Sequence, residues 1–408
     1  MSYRNYFFAI FHWLLLLGFA LVAPLSAGIL AQDSQAVQAI LDRNNLLGVS
    51  VASVSDTEGG RVTALFLSSR GITSLPPDIA KLSEIRILAL DGNELASLPP
   101  ELGELPELYD LSLSNNKLAS LPREIAGAAS LTLINLDRNN IMQFPEALTG
   151  LKNLQELSCR GNGIETLPER VSDLHALRYL RLDSNELAAL PPELDGMANL
   201  EVLTASHNAL IVIPSAIGAL GSLRKLDCSY NLITRLPDEL SNCENLTDLY
   251  LAGNLLTEIP GAMSRLRSLS WLSCDGNRLS ALPDELMHLP SLERLSIADN
   301  RLSTLPDSLG KCQKLCALDA SSNVLAGLPE SITAIAGLTA LRFAHNRLEA
   351  LPVHIEKLTN LLIRQGVQSY PALDLSDNRL CAVARSAAAW ADKFDPGWRS
   401  TQRCAEGR

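Results

Sequence analysis

The stretch from Leu108 to Ser130, LYDLSLSNNKLASLPREIAGAAS, contains the pattern that decides the fold. The same 23-residue pattern begins again at Leu131 and occurs thirteen times in succession between Val62 and Asn360, without insertion or deletion. A period of this length is typical of a solenoid, because one unit cannot bury its apolar side chains alone and stacked units share a core. The sequence therefore predicts a row of equivalent structural units.

Seven positions of each repeat, numbers 1, 4, 6, 11, 14, 18 and 21, hold apolar residues. Positions 4 and 6 alternate with polar residues, as in Leu111-Ser112-Leu113, which predicts a short strand with one buried face. The second half of most repeats opens with proline and spaces its apolar residues by three or four, which indicates a short helical or 3₁₀ turn. We therefore predict an α/β solenoid with a parallel inner sheet and short outer turns.

Asparagine occupies position 9 of every repeat except the first. Its side chain both donates and accepts hydrogen bonds, so a stacked row of asparagines can satisfy backbone groups that a sharp bend leaves unpaired. Together with the leucine spacing, this row resembles the leucine-rich-repeat family. The resemblance implies a horseshoe that is capped at both ends. It also implies an asparagine ladder, made of Asn93, Asn116, Asn139, Asn162, Asn185, Asn208, Asn231, Asn254, Asn277, Asn300, Asn323, Asn346 and Asn378.

Residues 1–31 have the composition of a secretory signal peptide. Arg4 precedes an apolar run from Tyr6 to Val22, and small residues follow as far as Ala31. We predict export with cleavage after Ala27 or Ala31, so the protein is expected to be secreted, periplasmic or at the cell surface. The alternative is an uncleaved anchor, because the apolar run is near the lower length limit for a membrane span. The membrane is a partner only in that case.

The remaining boundaries follow from the repeat register. Residues 32–61 are predicted to form an N-terminal cap, with a helix over 34–44 and a strand through Val49, Val51 and Val54. The thirteen repeats then occupy 62–360. Residues 361–380 form an irregular last repeat, whose pattern returns late after an insertion beyond Leu361, and 381–408 form a C-terminal cap. The insertion is either a simple loop or a contribution to binding.

The register also sorts the eight cysteines. Five of them occupy apolar core positions, where they are expected to be small buried side chains: Cys159, Cys228, Cys243, Cys274 and Cys312. Cys316 is expected to be a partly exposed free thiol. Cys381 and Cys404 bracket the C-terminal cap, so we predict a disulfide bond between them. The segment from Trp390 to Cys404 resembles the C-terminal cap of exported bacterial leucine-rich-repeat proteins.

Composition argues against several classes of function. The net charge of −11 arises from acids after the repeat prolines, where the first turn of a helix favours negative charge. The basic footprint of a nucleic-acid-binding protein is absent from the sequence, so no nucleic-acid partner is expected. The histidines and cysteines lack metal-site spacing, and a nucleophile-elbow motif does not occur. We therefore predict a protein that is not an enzyme and needs no cofactor or metal.

The inner sheet is the predicted binding face, and most of its exposed positions hold Ser, Ala, Asp or Gly. The exceptions lie in repeats six to eleven and form the predicted ligand site: Tyr179, Arg181, Lys225, Asp227, Tyr230, Asp248, Tyr250, Trp271 and Arg294. Tyr, Trp and Arg are the residue types enriched at binding hot spots. Tyr250 and Trp271 lie one strand apart and two residues offset, which is within aromatic contact range.

Three functions remain open on the sequence. The favoured one is a non-enzymatic extracytoplasmic recognition or scaffold protein that binds a protein or peptide on its concave face. The second is a protein that binds cell-wall or plant polysaccharide, with Tyr179, Tyr250 and Trp271 as stacking platforms. The third is an effector directed into a host cell.

Overall fold

The computed structural model describes residues 29–361 and 372–404. Within these residues one sheet contains fifteen strands in chain order. β1 and β2 form an antiparallel hairpin, and every later strand pairs in parallel with the strand before it. The strands are β1 Ser55–Glu58, β2 Arg61–Phe66, β3 Ile87–Ala89, β4 Asp110–Ser112, β5 Leu133–Asn135, β6 Glu156–Ser158, β7 Tyr179–Arg181, β8 Val202–Thr204, β9 Lys225–Asp227, β10 Asp248–Tyr250, β11 Trp271–Ser273, β12 Arg294–Ser296, β13 Ala317–Asp319, β14 Ala340–Arg342 and β15 Leu373–Asp374.

The 23-residue period is also the register of the sheet. Leu249 in β10 pairs with Leu226 in β9 and with Leu272 in β11, each one period away. Both Leu111 and Leu249 are fully buried. The two residues that flank each central leucine point to the opposite face, because side chains alternate along a strand. The predicted solenoid with a parallel inner sheet is therefore confirmed.

The outer side of the coil consists of 3₁₀ turns, so the helical alternative does not occur there in the described residues. Most turns follow a proline in extended conformation, as Pro237 does at φ −74° and ψ 143°. A side chain at Gly103 would collide with the carbonyl group of Glu124 in the next turn, which shows how closely these turns pack. The 3₁₀ segments, including those of the caps, are Val51–Ser53, Pro77–Lys81, Pro100–Glu104, Arg123–Gly127, Glu146–Gly150, Glu169–Asp173, Asp195–Met197, Ser215–Ala219, Asp238–Asn242, Gly261–Arg265, Asp284–His288, Asp307–Lys311, Glu330–Ala334, Ile355–Lys357 and Trp398–Thr401.

The asparagine at position 9 links each repeat to the one before it. Asn254 Nδ2 donates to the carbonyl oxygens of Cys228, at 2.9 Å, and Leu251, at 3.0 Å. Its Oδ1 accepts the N–H of Ile233 at 3.0 Å. The same three contacts recur at every residue of the predicted ladder, through to Asn378. The row therefore satisfies backbone groups at the bend after each strand.

The N-terminal cap consists of helix α1, Ala31–Arg43, the 3₁₀ turn at Val51–Ser53 and the β1–β2 hairpin. The predicted strand through Val49–Val54 is wrong. The strand lies at β1, directly before the turn at Gly59 and Gly60, because both glycines adopt positive φ and close the hairpin there.

Helix α1 begins three residues before the start that the sequence predicts. Asp33, in its first turn, is fully buried and accepts hydrogen bonds from the Val62 N–H, at 2.7 Å, and from Arg61 Nε, at 3.0 Å. The Leu30 N–H donates to the Gly60 carbonyl oxygen at 2.8 Å. The predicted signal segment lies mainly outside the described residues, but Leu30 and Ala31 already belong to the cap.

The C-terminal cap covers the last repeat with helix α2, Arg385–Phe394. Trp390 is buried, and its Nε1 donates to the Leu358 carbonyl oxygen at 2.8 Å. A disulfide joins Cys381 to Cys404, with Cα atoms 5.8 Å apart. The predicted insertion after Leu361 lies outside the described residues. Of residues 29–361 and 372–404, no helical segment has the length and apolar character needed to cross a bilayer.

Candidate concave binding site

Four side chains on adjacent strands form a continuous row on the concave face. The Tyr250 and Trp271 rings have centroids 5.1 Å apart and meet edge to face at 70°. Lys225 Nζ lies 4.9 Å from the centroid of the Tyr250 ring, and Arg294 Cζ lies 4.7 Å from that of Trp271. Both cations are within the range of cation–π attraction. We call Lys225, Tyr250, Trp271 and Arg294 the cation–aromatic row.

The parallel register places these residues together. Trp271 lies directly opposite Asp248 on one side and Arg294 on the other, while Tyr250 is two residues beyond Asp248 in the same strand. Residues i and i+2 of a strand share a face. The row therefore runs across β9, β10, β11 and β12, and Tyr250 reaches diagonally towards its two neighbours.

Asp248 holds the Tyr250 ring in place through a hydrogen bond. The Tyr250 hydroxyl donates to Asp248 Oδ1 at 3.1 Å, and Thr247 Oγ1 donates to Asp248 Oδ2 at 2.7 Å. Burial raises the pKa of the Tyr250 phenol well above its ordinary value, and the Asp248 charge and hydrogen bond raise it further. The phenol therefore remains neutral and keeps its proton on the side of Asp248.

Asp227 has a structural contact of its own. Its Oδ1 accepts the N–H of Ser229 at 3.1 Å, in the turn that follows β9. Other acids on this face are also bound to the sheet: Asp275 accepts Ser296 Oγ and the Ala298 N–H, both at 2.7 Å. Burial raises the pKa of Asp275, although these hydrogen bonds oppose the shift. In the described residues, no group of three or more His, Cys, Asp or Glu is arranged to hold a metal ion.

Tyr179 and Arg181 form a second, separate cluster. Two guanidinium groups lie near the Tyr179 ring, with Arg178 Cζ at 5.5 Å and Arg181 Cζ at 5.4 Å from its centroid. Arg181 is also ion-paired with Glu156. Strand β8 separates this cluster from Lys225. The predicted residues therefore extend over six strands, from β7 to β12, with Val202 of β8 between Tyr179 and Lys225.

Tyr230 lies beyond the end of strand β9, whereas the other predicted residues lie within strands. It occupies position 8, in the turn after β9, with a φ of 56°, and its N–H donates to the Ala252 carbonyl oxygen of the next repeat at 2.6 Å. Its ring stacks on His207 with centroids 4.4 Å apart and an interplanar angle of 11°. A Cβ atom at Gly253 would lie only 2.6 Å from Tyr230 Cδ1, so the next repeat leaves room for this ring.

Sequence reasoning missed His207. The signal was present, because His207 and Tyr230 occupy position 8 of consecutive repeats and lie one repeat step apart. What the sequence did not reveal is that position 8 adopts a left-handed conformation in repeat after repeat, including Asn115, Arg138 and Ser184. The turn residues therefore form a rim of their own beside the concave face.

Comparison with known proteins agrees with this fold. A family model described as leucine rich repeat matches residues 83–141, 221–279 and 267–325. The structure of a leucine-rich-repeat protein of Leptospira interrogans is similar over 84% of this chain and 94% of that one, with 30% sequence identity and a TM-score of 0.64. This chain belongs to the leucine-rich-repeat family. No curated protein sequence matches it.

Two further structures show the range of the similarity. The ectodomain of the Arabidopsis receptor kinase HAESA, solved with a peptide hormone, is 26% identical over 78% of this chain, with a TM-score of 0.63; the chain spans 58% of its length. The internalin InlF of Listeria monocytogenes is 21% identical over 81% of this chain and 94% of its own, with a TM-score of 0.64, and shows the shared fold alone.

Proposed function

We propose that this protein is a non-enzymatic, extracytoplasmic recognition protein that binds a protein or peptide on its concave face. The observation that carries the proposal is the cation–aromatic row, in which two aromatic rings lie in contact between two cations. Trp, Tyr and Arg are the residue types that most often dominate binding energy at protein interfaces. The family supports the proposal as well, because the similar HAESA ectodomain was solved with a peptide ligand.

The surroundings of the row suit a protein ligand. Several concave positions on one side of the row are small, namely Ser273 and Ser296 beside it and Ala317 and Ala340 beyond it, while Asp319 and Arg342 form an ion pair on the same strands as the two alanines. A partner can therefore approach the sheet closely there while its own side chains contact the rings. Lys225 and Arg294 would attract acidic groups of the partner, which favours one orientation over another.

A polysaccharide fits the same row less well. Sugars stack on open aromatic faces, but cations lie over the Tyr250 and Trp271 rings, and two guanidinium groups lie over Tyr179. We therefore favour a protein or peptide over a glycan as the concave ligand.

The test is affinity capture from the extracellular fraction of the source cells and their surroundings, followed by identification of the captured proteins. We expect a set of proteins on the wild type that is lost with the double variant Tyr250→Ala, Trp271→Ala. Tyr109→Ala is the matched control, because Tyr109 is also an exposed aromatic residue but precedes strand β4 and lies far from the row.

The melting temperature of each variant shows whether the frame, meaning the stacked repeats with their buried core and asparagine row, is intact. The rings are only half buried, so we expect the double variant to melt within about 3 °C of the wild type. Equal capture by the wild type and by a folded double variant would contradict the proposal.

A further inference from the structure

A second ordered surface runs along the turns that follow the strands, which we call the C-terminal rim. Position 10 of each repeat donates its backbone N–H to the carbonyl oxygen at position 11 of the repeat before. The distances are 2.9 Å for Leu232 to Leu210 and 2.9 Å for Arg301 to Leu279. Arg379 makes the same bond to Leu348, also at 2.9 Å, so the register continues past the insertion. Position 10 therefore forms a continuous column along the repeats.

Neighbouring side chains of this column reach one another. Lys117 and Glu94 occupy position 10 of adjacent repeats, and Lys117 Nζ lies 3.1 Å from Glu94 Oε2. A single repeat step therefore brings two long side chains into direct contact. It follows that two adjacent arginines in this column are also neighbours, and that their like charges repel unless an anion lies between them.

The composition of the column changes along the molecule. Charged or polar residues with one glycine among them come first, then three apolar residues, and then arginines with one valine among them. In order the residues are Glu94, Lys117, Asn140, Gly163, Glu186, Ala209, Leu232, Leu255, Arg278, Arg301, Val324, Arg347 and Arg379.

The apolar part of the column is widened by its neighbours on the rim. Ile211 is 56% exposed, Leu232 is 47% exposed and Tyr230 is 56% exposed, although all three are large apolar or aromatic side chains. Four of the nine exposed large hydrophobic residues in the described chain, these three and Val212, belong to repeats seven and eight. An exposed patch of this kind is a common mark of an interaction surface.

The arginine part of the column is exposed and has no acidic partner. Within residues 29–361 and 372–404, no carboxylate lies in ion-pair distance of the four side chains, which are those of Arg278, Arg301, Arg347 and Arg379. The acids on the same rim do not neutralise them. Asp377 is paired with Arg403 and His345, while Asp299 and Glu349 stay beyond ion-pair distance.

We propose that the C-terminal rim binds a protein segment in which apolar residues adjoin a run of aspartates or glutamates. The apolar residues would cover the patch at repeats seven to nine, and the acidic run would follow the arginine column. This column spans four repeat steps, or roughly 19 Å at the spacing of neighbouring strands. The inference rests on the proposed function only in taking the partner to be a protein.

The apolar patch and the arginine part of the column adjoin each other, and this arrangement favours one class of polyanion over the others. An acidic polysaccharide would use the arginines alone and leave the adjoining Leu232 and Ile211 exposed. A single-stranded nucleic acid needs aromatic platforms among the cations, and the arginine part of the column has none. Only a polypeptide carries apolar and acidic side chains in one chain, and arginine forms strong paired hydrogen bonds with carboxylates.

The test measures the fluorescence anisotropy of a labelled synthetic peptide in which leucines precede a run of glutamates. We expect binding to the full chain that weakens as salt is added, because the contacts are electrostatic and exposed. The variant Arg278→Gln, Arg301→Gln, Arg347→Gln, Arg379→Gln should lose affinity by at least roughly tenfold. A peptide of glutamates alone should bind more weakly than the leucine-containing peptide, and Leu232→Ser with Ile211→Ser should abolish that difference.

A matched variant controls for net charge. Arg224, Arg265, Arg267 and Arg385 are also exposed and without an ion pair in the described residues, but none of them lies in the turns that form the rim. Their replacement by glutamine changes the charge equally and should leave peptide affinity within about twofold of wild type. Equal losses in both quadruple variants would overturn the proposal, as would absence of peptide binding by the wild type at low salt.

Two further measurements distinguish this inference from binding of an acidic glycan and from the proposal for the concave face. Tighter binding of polygalacturonate than of the peptide, with the same dependence on the four arginines, would assign the column to an acidic glycan and overturn the proposal. The concave variant Tyr250→Ala, Trp271→Ala should still bind the peptide, since neither residue lies on the rim. The proposal for the rim can therefore be disproved while the proposal for the concave face stands, and the concave proposal can be disproved while the rim proposal stands.

Discussion

Repeats three to five and repeats eight to eleven have the same frame but different concave surfaces. In the first region the ladder residue Asn139 makes its three backbone contacts at 3.0 Å, and in the second Asn254 makes them at 2.9 to 3.0 Å. Both regions carry serine and aspartate at exposed strand positions, but the larger side chains differ. The first region offers Asp110, Leu133, Glu156 and short polar residues, whereas the second offers the cation–aromatic row.

This difference shows that frame and surface are specified by separate positions of the repeat. Buried positions and the asparagine are constrained by stacking, so they are alike in both regions. Exposed positions 3 and 5 of the strand carry little stability and are free to differ. Changes to the frame should therefore alter stability in both regions, while changes to the row should alter binding in one.

The largest expected effect on stability comes from the C-terminal disulfide, which belongs to the frame. Replacing Cys381 and Cys404 by serine opens a loop with a sequence separation of 23 residues, and loop-closure entropy predicts a loss of about 3 kcal/mol. Because each repeat contacts only its neighbours, the cap should unfold before the centre. Fluorescence of Trp390 and Trp398 in the cap should then change at lower denaturant concentration than far-ultraviolet circular dichroism. Coincident, unshifted transitions would contradict this prediction, and Cys316→Ser serves as the control.

The next effect tests whether the two regions share one frame. Asn139→Ala and Asn254→Ala each leave buried backbone groups unpaired, so each should lower the free energy of unfolding by roughly 2 kcal/mol. Asn140→Ala, at an exposed position without a side-chain hydrogen bond in the described residues, should change it little. Chemical denaturation measures all three. A clearly larger loss at Asn254 than at Asn139 would mean that the frame is not uniform.

A smaller effect belongs to the row alone. A double-mutant cycle with Trp271→Ala and Arg294→Ala should give a coupling energy of about 0.5 kcal/mol, because the cation–π contact is partly exposed to solvent. The same coupling should disappear when Trp271 is replaced by leucine, which retains apolar packing but lacks a ring. A coupling of zero for the tryptophan cycle would show that the two side chains do not interact in solution.

The last prediction is an absence of reaction. The buried thiols of both regions should not react with a thiol reagent in the folded protein. Burial raises the pKa of Cys243 and of Cys312 to about 11, and burial also raises the pKa values of Cys159, Cys228 and Cys274. At neutral pH these thiols stay protonated and inaccessible, so a thiol reagent should modify only Cys316 in the folded protein. Modification of further cysteines without denaturant would indicate that the core opens. Cys316→Ser should abolish the native-state reaction.

The frame could be predicted from the sequence because every buried position repeats with the period. The strand, the outer turn and the role of Asn254 each follow from one 23-residue unit and its stacking. The caps were harder to predict because their sequences do not repeat. The β1 hairpin and the buried Asp33 depend on contacts with Gly60, Arg61 and Val62, and the repeat pattern does not predict these contacts.

The site could be predicted only in part. The register was enough to foresee contact between Tyr250 and Trp271. It did not show that Tyr230 lies in the turn after β9 with a positive φ and stacks on His207. Nor did it show that Arg178 and Arg181 both contact the Tyr179 ring, since side-chain conformation is not encoded in the repeat spacing. Whether these residues bind a ligand remains a prediction.

The most direct test of the central claim is oxidative footprinting of side chains in the presence of a captured partner. We predict that Tyr250 and Trp271 lose reactivity when the partner is bound, while Tyr109 and the exposed Met142 of repeat four react as before. Protection of Met142 or Tyr109 with no change at Trp271 would place the partner away from the cation–aromatic row and contradict the account.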